Sequence, residues 1–132
     1  MGIVRSKVSF DTVRKLGLQF PHVEEGTAYG QPALKVKSAA KAKTFACMSS
    51  HKSAEPGSLV IRVDFEQRAE LLSADPNVYY ITDHYKDYPA VLVRLSRVTP
   101  GVLKDVLGMA YRMVVREGTS GSVRKRAKRA KR

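Results

Sequence analysis

Cysteine is nearly missing from this chain. Cys47 stands alone among 132 residues, so no internal disulfide framework exists. Long apolar runs are missing too, and nothing approaches the roughly 18 residues that a membrane-spanning helix needs. The opening Met1-Gly2-Ile3-Val4-Arg5-Ser6-Lys7 lacks the continuous apolar stretch of a secretory signal. It fits only the short, loose pattern for N-terminal acylation. The expectation is a cytoplasmic protein with no membrane insertion. No glycine-rich phosphate loop, G-x-S-x-G elbow or H-E-x-x-H helix is present, which argues against the common nucleotide-binding and hydrolase classes.

Metal-ligand spacing is also lacking. His22, His51 and His84 lie far apart, and none sits near Cys47 at a zinc-type interval. A hard cation would want clustered carboxylates, yet Glu24-Glu25 is the only adjacent acidic pair. No metal and no cofactor are expected. Cys47, between Ala46 and Met48, is expected to pack in the core. A nucleophilic role would need a nearby base, and the sequence supplies none.

Acidic residues are scarce: 12 against 24 Lys+Arg, for a net charge of +12. Seven of those cations fall in residues 118–132, namely Arg124, Lys125, Arg126, Lys128, Arg129, Lys131 and Arg132. That segment holds no acid and begins with glycines and serines. Without it, 17 cations face 12 acids, so residues 1–117 carry +5. The division is therefore a folded domain over 1–117 and a basic tail over 118–132. Such a run repels itself and buries nothing, which predicts disorder when free. It is an arm suited to nucleic acid; an anionic membrane surface and plain solubilisation are its other uses.

Within 1–117 the hydrophobic period predicts the elements. Phe10, Val13, Leu16 and Phe20 recur at helical spacing behind Ser9, giving a helix over 9–19. Residues 26–37 change period, with Leu34 and Val36 alternating with Lys35 and Lys37, which predicts a strand. Further strands are predicted over 44–50, with Phe45 and Cys47 on one face, and over 58–64, with Leu59, Ile61 and Val63 on one face. A helix follows over 65–74. The aromatic, β-branched stretch 78–85 and the stretch 90–98 predict two more strands. Thr99-Pro100 opens a last helix that ends near Glu117. The fold class is α+β: a two-layer domain ordered α-β-β-β-α-β-β-α. Its five-stranded antiparallel sheet carries helices on one face.

These residues also carry a resemblance. Tyr29-Gly30-Gln31-Pro32-Ala33-Leu34-Lys35-Val36, then Phe45-Ala46, resemble the front half of the YjbR/MmcQ family. Val60-Ile61-Arg62-Val63-Asp64, Arg68, Leu71-Leu72, His84-Tyr85 and Val93-Arg94-Leu95 resemble its back half, and Leu103, Leu107 and Ala110-Tyr111 its close. The similarity covers about residues 9–116. It implies a compact α/β domain with an antiparallel sheet, similar to the secretion-chaperone and bacterial frataxin folds, and it implies DNA binding. It implies no catalytic residues.

Two candidate sites follow from the residues themselves. Strand alternation sets Lys35, Lys37, Arg62 and Arg94 opposite the apolar positions. If helices cover the apolar face, these cations point outward together, with Lys41, Lys43 and Lys52 extending the patch. A surface of that kind attracts phosphates without reading sequence; a solvated face with local partners, such as Asp64 near Arg62, is the alternative. Tyr80 is one ring on the same face. The second candidate is a pocket or hydrogen-bonded rim around Asp83, His84 and Tyr85, with Tyr88 beside it. The functional expectation is a non-catalytic DNA-binding protein of low sequence specificity. A protein-interaction module and a small-molecule binder near His84 and Tyr85 are its rivals.

Overall fold

The computed structural model describes residues 8–37 and 42–119. Helix α1 (Phe10–Gly17) begins where Ser9 caps it. The Asp11 N–H donates to Ser9 Oγ at 3.2 Å, and the Ser9 N–H donates to Thr12 Oγ1 at 3.3 Å. These bonds satisfy backbone groups that a helix start leaves unpaired. Strands β1 (Val23–Ala28) and β2 (Gln31–Val36) form a hairpin, followed by β3 (Lys43–Met48) and β4 (Ser58–Arg62). Helix α2 (Phe65–Ala74) is capped reciprocally: Gln67 N–H to Asp64 Oδ1 at 2.7 Å, Asp64 N–H to Gln67 Oε1 at 3.2 Å. Strands β5 (Tyr79–Tyr80) and β6 (Ala90–Arg94) precede the long helix α3 (Pro100–Thr119). Thr99 caps α3, accepting the Val102 N–H on Oγ1 at 3.3 Å.

The described residues thus hold three helices and one antiparallel sheet of six strands, in the order β1-β2-β3-β4-β6-β5. The α+β class and the layer arrangement agree with the sequence pattern. The strand count differs by one because β1, Val-Glu-Glu-Gly-Thr-Ala, shows no apolar alternation. It is an edge strand, where charge discourages pairing with other chains and little is buried. The stretch 78–85 yields only the two residues of β5. Beyond them the chain turns twice, through Tyr85 N–H to Thr82 O and Tyr88 N–H to Tyr85 O, and the aromatic side chains cover a face rather than extend a ladder.

Leu34, Ala46, Ile61 and Val91 are successive cross-strand partners, buried beneath the helices. Val13, Leu103, Leu107 and Val114 close the core from α1 and α3. A β-bulge breaks the ladder here: Leu34 faces Ala46 but Lys35 faces Thr44, so Phe45 is the extra residue. It turns to the helix side, with its ring edge-on to Tyr111 at 5.9 Å. Cys47 stays on the rung of Ala33 and Val60. The expectation that Phe45 and Cys47 share a face fails at this bulge, because an inserted residue resets the alternation.

Tyr111 also stacks on Phe20 at 4.8 Å and donates its hydroxyl to Pro21 O at 2.8 Å, fixing the α1–β1 connection to α3. The close approach of α1 to the sheet needs Gly17. A Cβ there would overlap Leu34 Cδ1 and lie 3.8 Å from Phe45 Cζ. Leu34 is fully buried and cannot swing away without opening a void. Gly17→Ala is therefore expected to destabilise the fold by about 1–3 kcal/mol, despite alanine's better helix propensity. A thermal melt followed by circular dichroism checks this; an unchanged midpoint would contradict it.

Candidate functional site

The side of the sheet away from the core carries its own ladder. Ala33, Cys47, Val60, Leu92 and Tyr80 are successive partners across five strands. Leu92 is fully buried on this side, so the face is covered. Two loops cover it, residues 49–57 between β3 and β4 and residues 81–89 between β5 and β6. Ser53 Oγ and Thr82 Oγ1 join them at 2.9 Å. The His51 and His84 rings stack at 3.6 Å, nearly parallel at 8°. Tyr85 stands edge-on to His84 at 4.7 Å. His51 Nδ1 meets Ser53 Oγ at 2.7 Å and accepts the Ser53 N–H at 3.0 Å.

Arg68 of α2 holds the second loop in place. Its Nη1 donates to the carbonyls of Tyr88 at 2.9 Å, Tyr85 at 3.2 Å and Ala90 at 3.3 Å, and its Nη2 to Lys86 O at 2.9 Å. The guanidinium also lies over the Phe65 ring, 4.7 Å from its centroid. One cation thus ties three loop carbonyls and the first carbonyl of β6 to α2.

Between these walls lies a cleft of about 550 Å³. Cys47, Val60 and Ala90 give it an apolar floor. Tyr29, His84, Tyr85 and Tyr88 give it aromatic walls, and Lys43 and Arg62 stand among its cations. Thr44 and Ser50 add hydroxyls. No carboxylate belongs to the lining. Burial pushes the Cys47 thiol up, so it is a neutral thiol at neutral pH. Burial likewise raises the Tyr85 phenol, with Cys47 as the next contributor. Desolvation, then His84, then Lys52 hold the His51 imidazole below its ordinary value. The cleft is therefore a ring-lined slot with cations at its border.

The predicted basic face is only partly assembled. Arg62 binds Glu117 of α3, with Nη2 at 3.0 and 3.2 Å from the two carboxylate oxygens. Asp64, its expected neighbour, instead caps α2. Arg94 donates to Glu55 at 2.9 and 2.8 Å and to the carbonyls of Pro76 and Asn77 at 3.1 Å each. Its guanidinium covers the Tyr80 ring at 4.3 Å. The Tyr80 hydroxyl meets Ser58 Oγ at 2.6 Å and accepts the Glu55 N–H at 2.7 Å. Arg94 is the centre of a structural knot. The two arginines sit at opposite ends of the β4–β6 pair, since Arg62 faces Ala90 and Ser58 faces Arg94. That is roughly 13 Å along the strands. Lys35 is half-buried; Lys37 is exposed, 4.0 Å from Glu24. Lys43 borders the cleft and Lys52 is exposed on the first covering loop. Lys41 and the seven tail cations lie outside the described residues.

Of the second candidate group, His84 and Tyr85 line the cleft while Asp83 is exposed in the loop outside the lining. Tyr29 and Arg68 entered the sequence reading only through the family resemblance and not as site residues, and the His51 stack escaped it. The signal for Tyr29 was its turn: Tyr29-Gly30 is a two-residue hairpin loop with φ of 54° and 76°. Asparagine is the ordinary residue before glycine in such a turn. Among the described residues no group of three His, Cys, Asp or Glu is placed to hold a metal ion, and no helix is long and apolar enough to cross a membrane.

The Glu55–Arg94 bridge has a pH signature. Two hydrogen bonds from Arg94 hold the Glu55 carboxyl below its ordinary value. A depressed folded-state pKa means the bridge stabilises the fold above the unfolded value and is lost as pH falls through the folded one. The melting midpoints of wild type and Glu55→Gln are expected to differ at neutral pH and to converge progressively as the pH falls below the unfolded Glu value of about 4.3. A difference independent of pH would contradict the assignment.

The family model for YjbR matches residues 18–113, which includes the whole sheet, α2, both loops and most of α3 but not α1. The chain belongs to the YjbR family. The matched region of this YjbR chain contains every residue of the cleft lining. An uncharacterized protein of Mycobacterium tuberculosis and one of Mycobacterium bovis are each 40% identical to it over 43 residues. Each match covers 33% of this chain and 33% of the relative, so it spans about a third of the length of these curated relatives. A crystal structure of a Deinococcus radiodurans protein with domain assignment DUF419 shares the fold, with a TM-score of 0.69 at 24% identity. The match covers 86% of this chain and 83% of that one.

Proposed function

We propose that this YjbR-family chain is a DNA-binding protein of low sequence specificity, engaging phosphates through cations of the body and of residues 118–132. The cleft lining carries the reading: it holds Lys43 and Arg62 and no carboxylate, so it favours an anionic ligand. The net charge of +12 supports the same sign of partner. Lys35, Lys37 and Lys43 are the proposed phosphate contacts of the sheet side. Arg62, paired with Glu117, contributes less, and Arg94 contributes to structure. Backbone contacts of this kind position a protein without reading bases. The test is fluorescence anisotropy of a labelled random-sequence DNA titrated with the full chain at low salt. Saturable binding, competed by unlabelled DNA of unrelated sequence, is expected. No binding at low salt would overturn the reading.

The volume of the cleft favours a second reading, a small anionic ligand held near His84 and Tyr85. A volume of about 550 Å³ falls in the range of small-molecule sites. A thermal-shift screen with aromatic carboxylates and mononucleotides tests it, and a midpoint raised by one such compound but by no oligonucleotide would favour it over DNA.

A further inference from the structure

We infer that the cleft on the loop-covered face of the sheet receives an unpaired nucleobase, so that the folded body prefers single strands to duplex. The inference rests on the nucleic-acid reading above and names the part of the ligand the cleft takes. The shape decides first. The rings sit around a slot with an apolar floor of Cys47, Val60 and Ala90, and a base can enter such a slot only when it is out of the duplex stack. The rings decide second. Tyr29 is 88% exposed and Tyr88 55% exposed, and both border the cleft without filling the core. Exposed rings beside a basic border are what base stacking requires.

The backbone gives a third, independent indication at Tyr29. Its φ of 54° lies in the left-handed region, which a bulky side chain rarely adopts. The turn would form more readily with asparagine at that position. The hairpin thus keeps a large ring, at a conformational disadvantage, where it buries almost nothing and overhangs the cleft. Strain of this sort concentrates at ligand sites. In the bound state the base stacks against Tyr29 or Tyr88 above the Cys47–Val60 floor, and the flanking phosphates meet Lys43 and the outer edge of Arg62. The hydroxyls of Thr44 and Ser50 reach the base edge without demanding one base over another.

The test uses the full chain with labelled oligo-dT, oligo-U and a duplex of equal length. Binding is read by anisotropy and by tyrosine emission, which is unobscured because the chain has no tryptophan. Single strands are expected to quench tyrosine emission where duplex does not, and to hold more of their affinity than duplex as salt rises. The tighter of the two oligomers identifies a DNA or an RNA source. Tyr29→Asn and Tyr88→Ala are each expected to weaken single-strand binding about 5- to 100-fold while leaving duplex binding unchanged. Tyr29→Asn carries its own folding control, because its melting midpoint should equal or exceed that of the wild type. Equal binding of single strand and duplex, indifferent to both substitutions, would overturn this inference and leave the DNA-binding reading standing. Absence of binding to any of the three would overturn both.

Discussion

Affinity of the full chain for DNA is expected to fall by about a thousandfold or more between 50 and 200 mM salt. The reasoning is counterion release. Each phosphate neutralised by a protein cation frees condensed counterions, and added salt opposes that release. The seven cations of residues 118–132, all engaged on duplex, give a slope of roughly −6 in log K against log salt. Lys35, Lys37 and Lys43 on the body add a smaller increment. A chain of residues 1–117 retains the whole core, which is drawn from Val8 through Val114. It also keeps Glu117 for Arg62. That shorter chain should fold as the full one does, bind duplex far more weakly and show a much flatter slope. Binding that is equally tight and equally salt-steep without residues 118–132 would remove the arm from the account.

Arg68→Met is expected to lower stability by about 2–3 kcal/mol, in line with hydrogen bonds to a charged group. Methionine keeps an unbranched apolar stem but abandons the guanidinium's place over the Phe65 ring and the carbonyls of Tyr85, Lys86, Tyr88 and Ala90. Arg68→Lys should restore only part of the loss, since an ammonium cannot span four acceptors as a planar guanidinium does. The site should feel the change as well. Arg68 lies outside the cleft lining, yet three of its carbonyl partners, Tyr85, Lys86 and Tyr88, belong to the loop that carries His84, and the fourth, Ala90, opens β6 and lines the cleft. Faster hydrogen exchange in residues 81–90 should accompany weaker ligand binding. Denaturant titration and exchange measurements check both halves; a variant with wild-type stability and exchange would mean that the four bonds contribute nothing.

The fold was legible where burial dictated the pattern. Leu59, Ile61 and Val63 had to share a face because one side of β4 is core. Thr99-Pro100 and Ser9 announced their helices because helix starts need capping groups. The edge strand β1 was not legible, since Val23–Ala28 buries too little to impose alternation. The bulge at Phe45 was not legible either, because an inserted residue leaves no mark on composition. The site was half legible. His84 and Tyr85 stood out as polar aromatics, and the resemblance included them. The stacking of His51 on His84 depends on two loops meeting across 33 residues of sequence, which no local pattern encodes. The cations illustrate the limit most clearly. Strand alternation puts Arg62 and Arg94 on the open side, but only the fold reveals Glu117 and Glu55 waiting for them.

Chemical-shift mapping of the isotope-labelled full chain with a short single-stranded oligonucleotide tests the account most directly. The account predicts that the largest changes among residues 8–117 fall on Tyr29, Lys43 to Cys47 and His84 to Tyr88, the walls and floor of one cleft. Changes confined to the helix side, at Lys104 and Arg112 for example, with the cleft resonances unmoved, would contradict it.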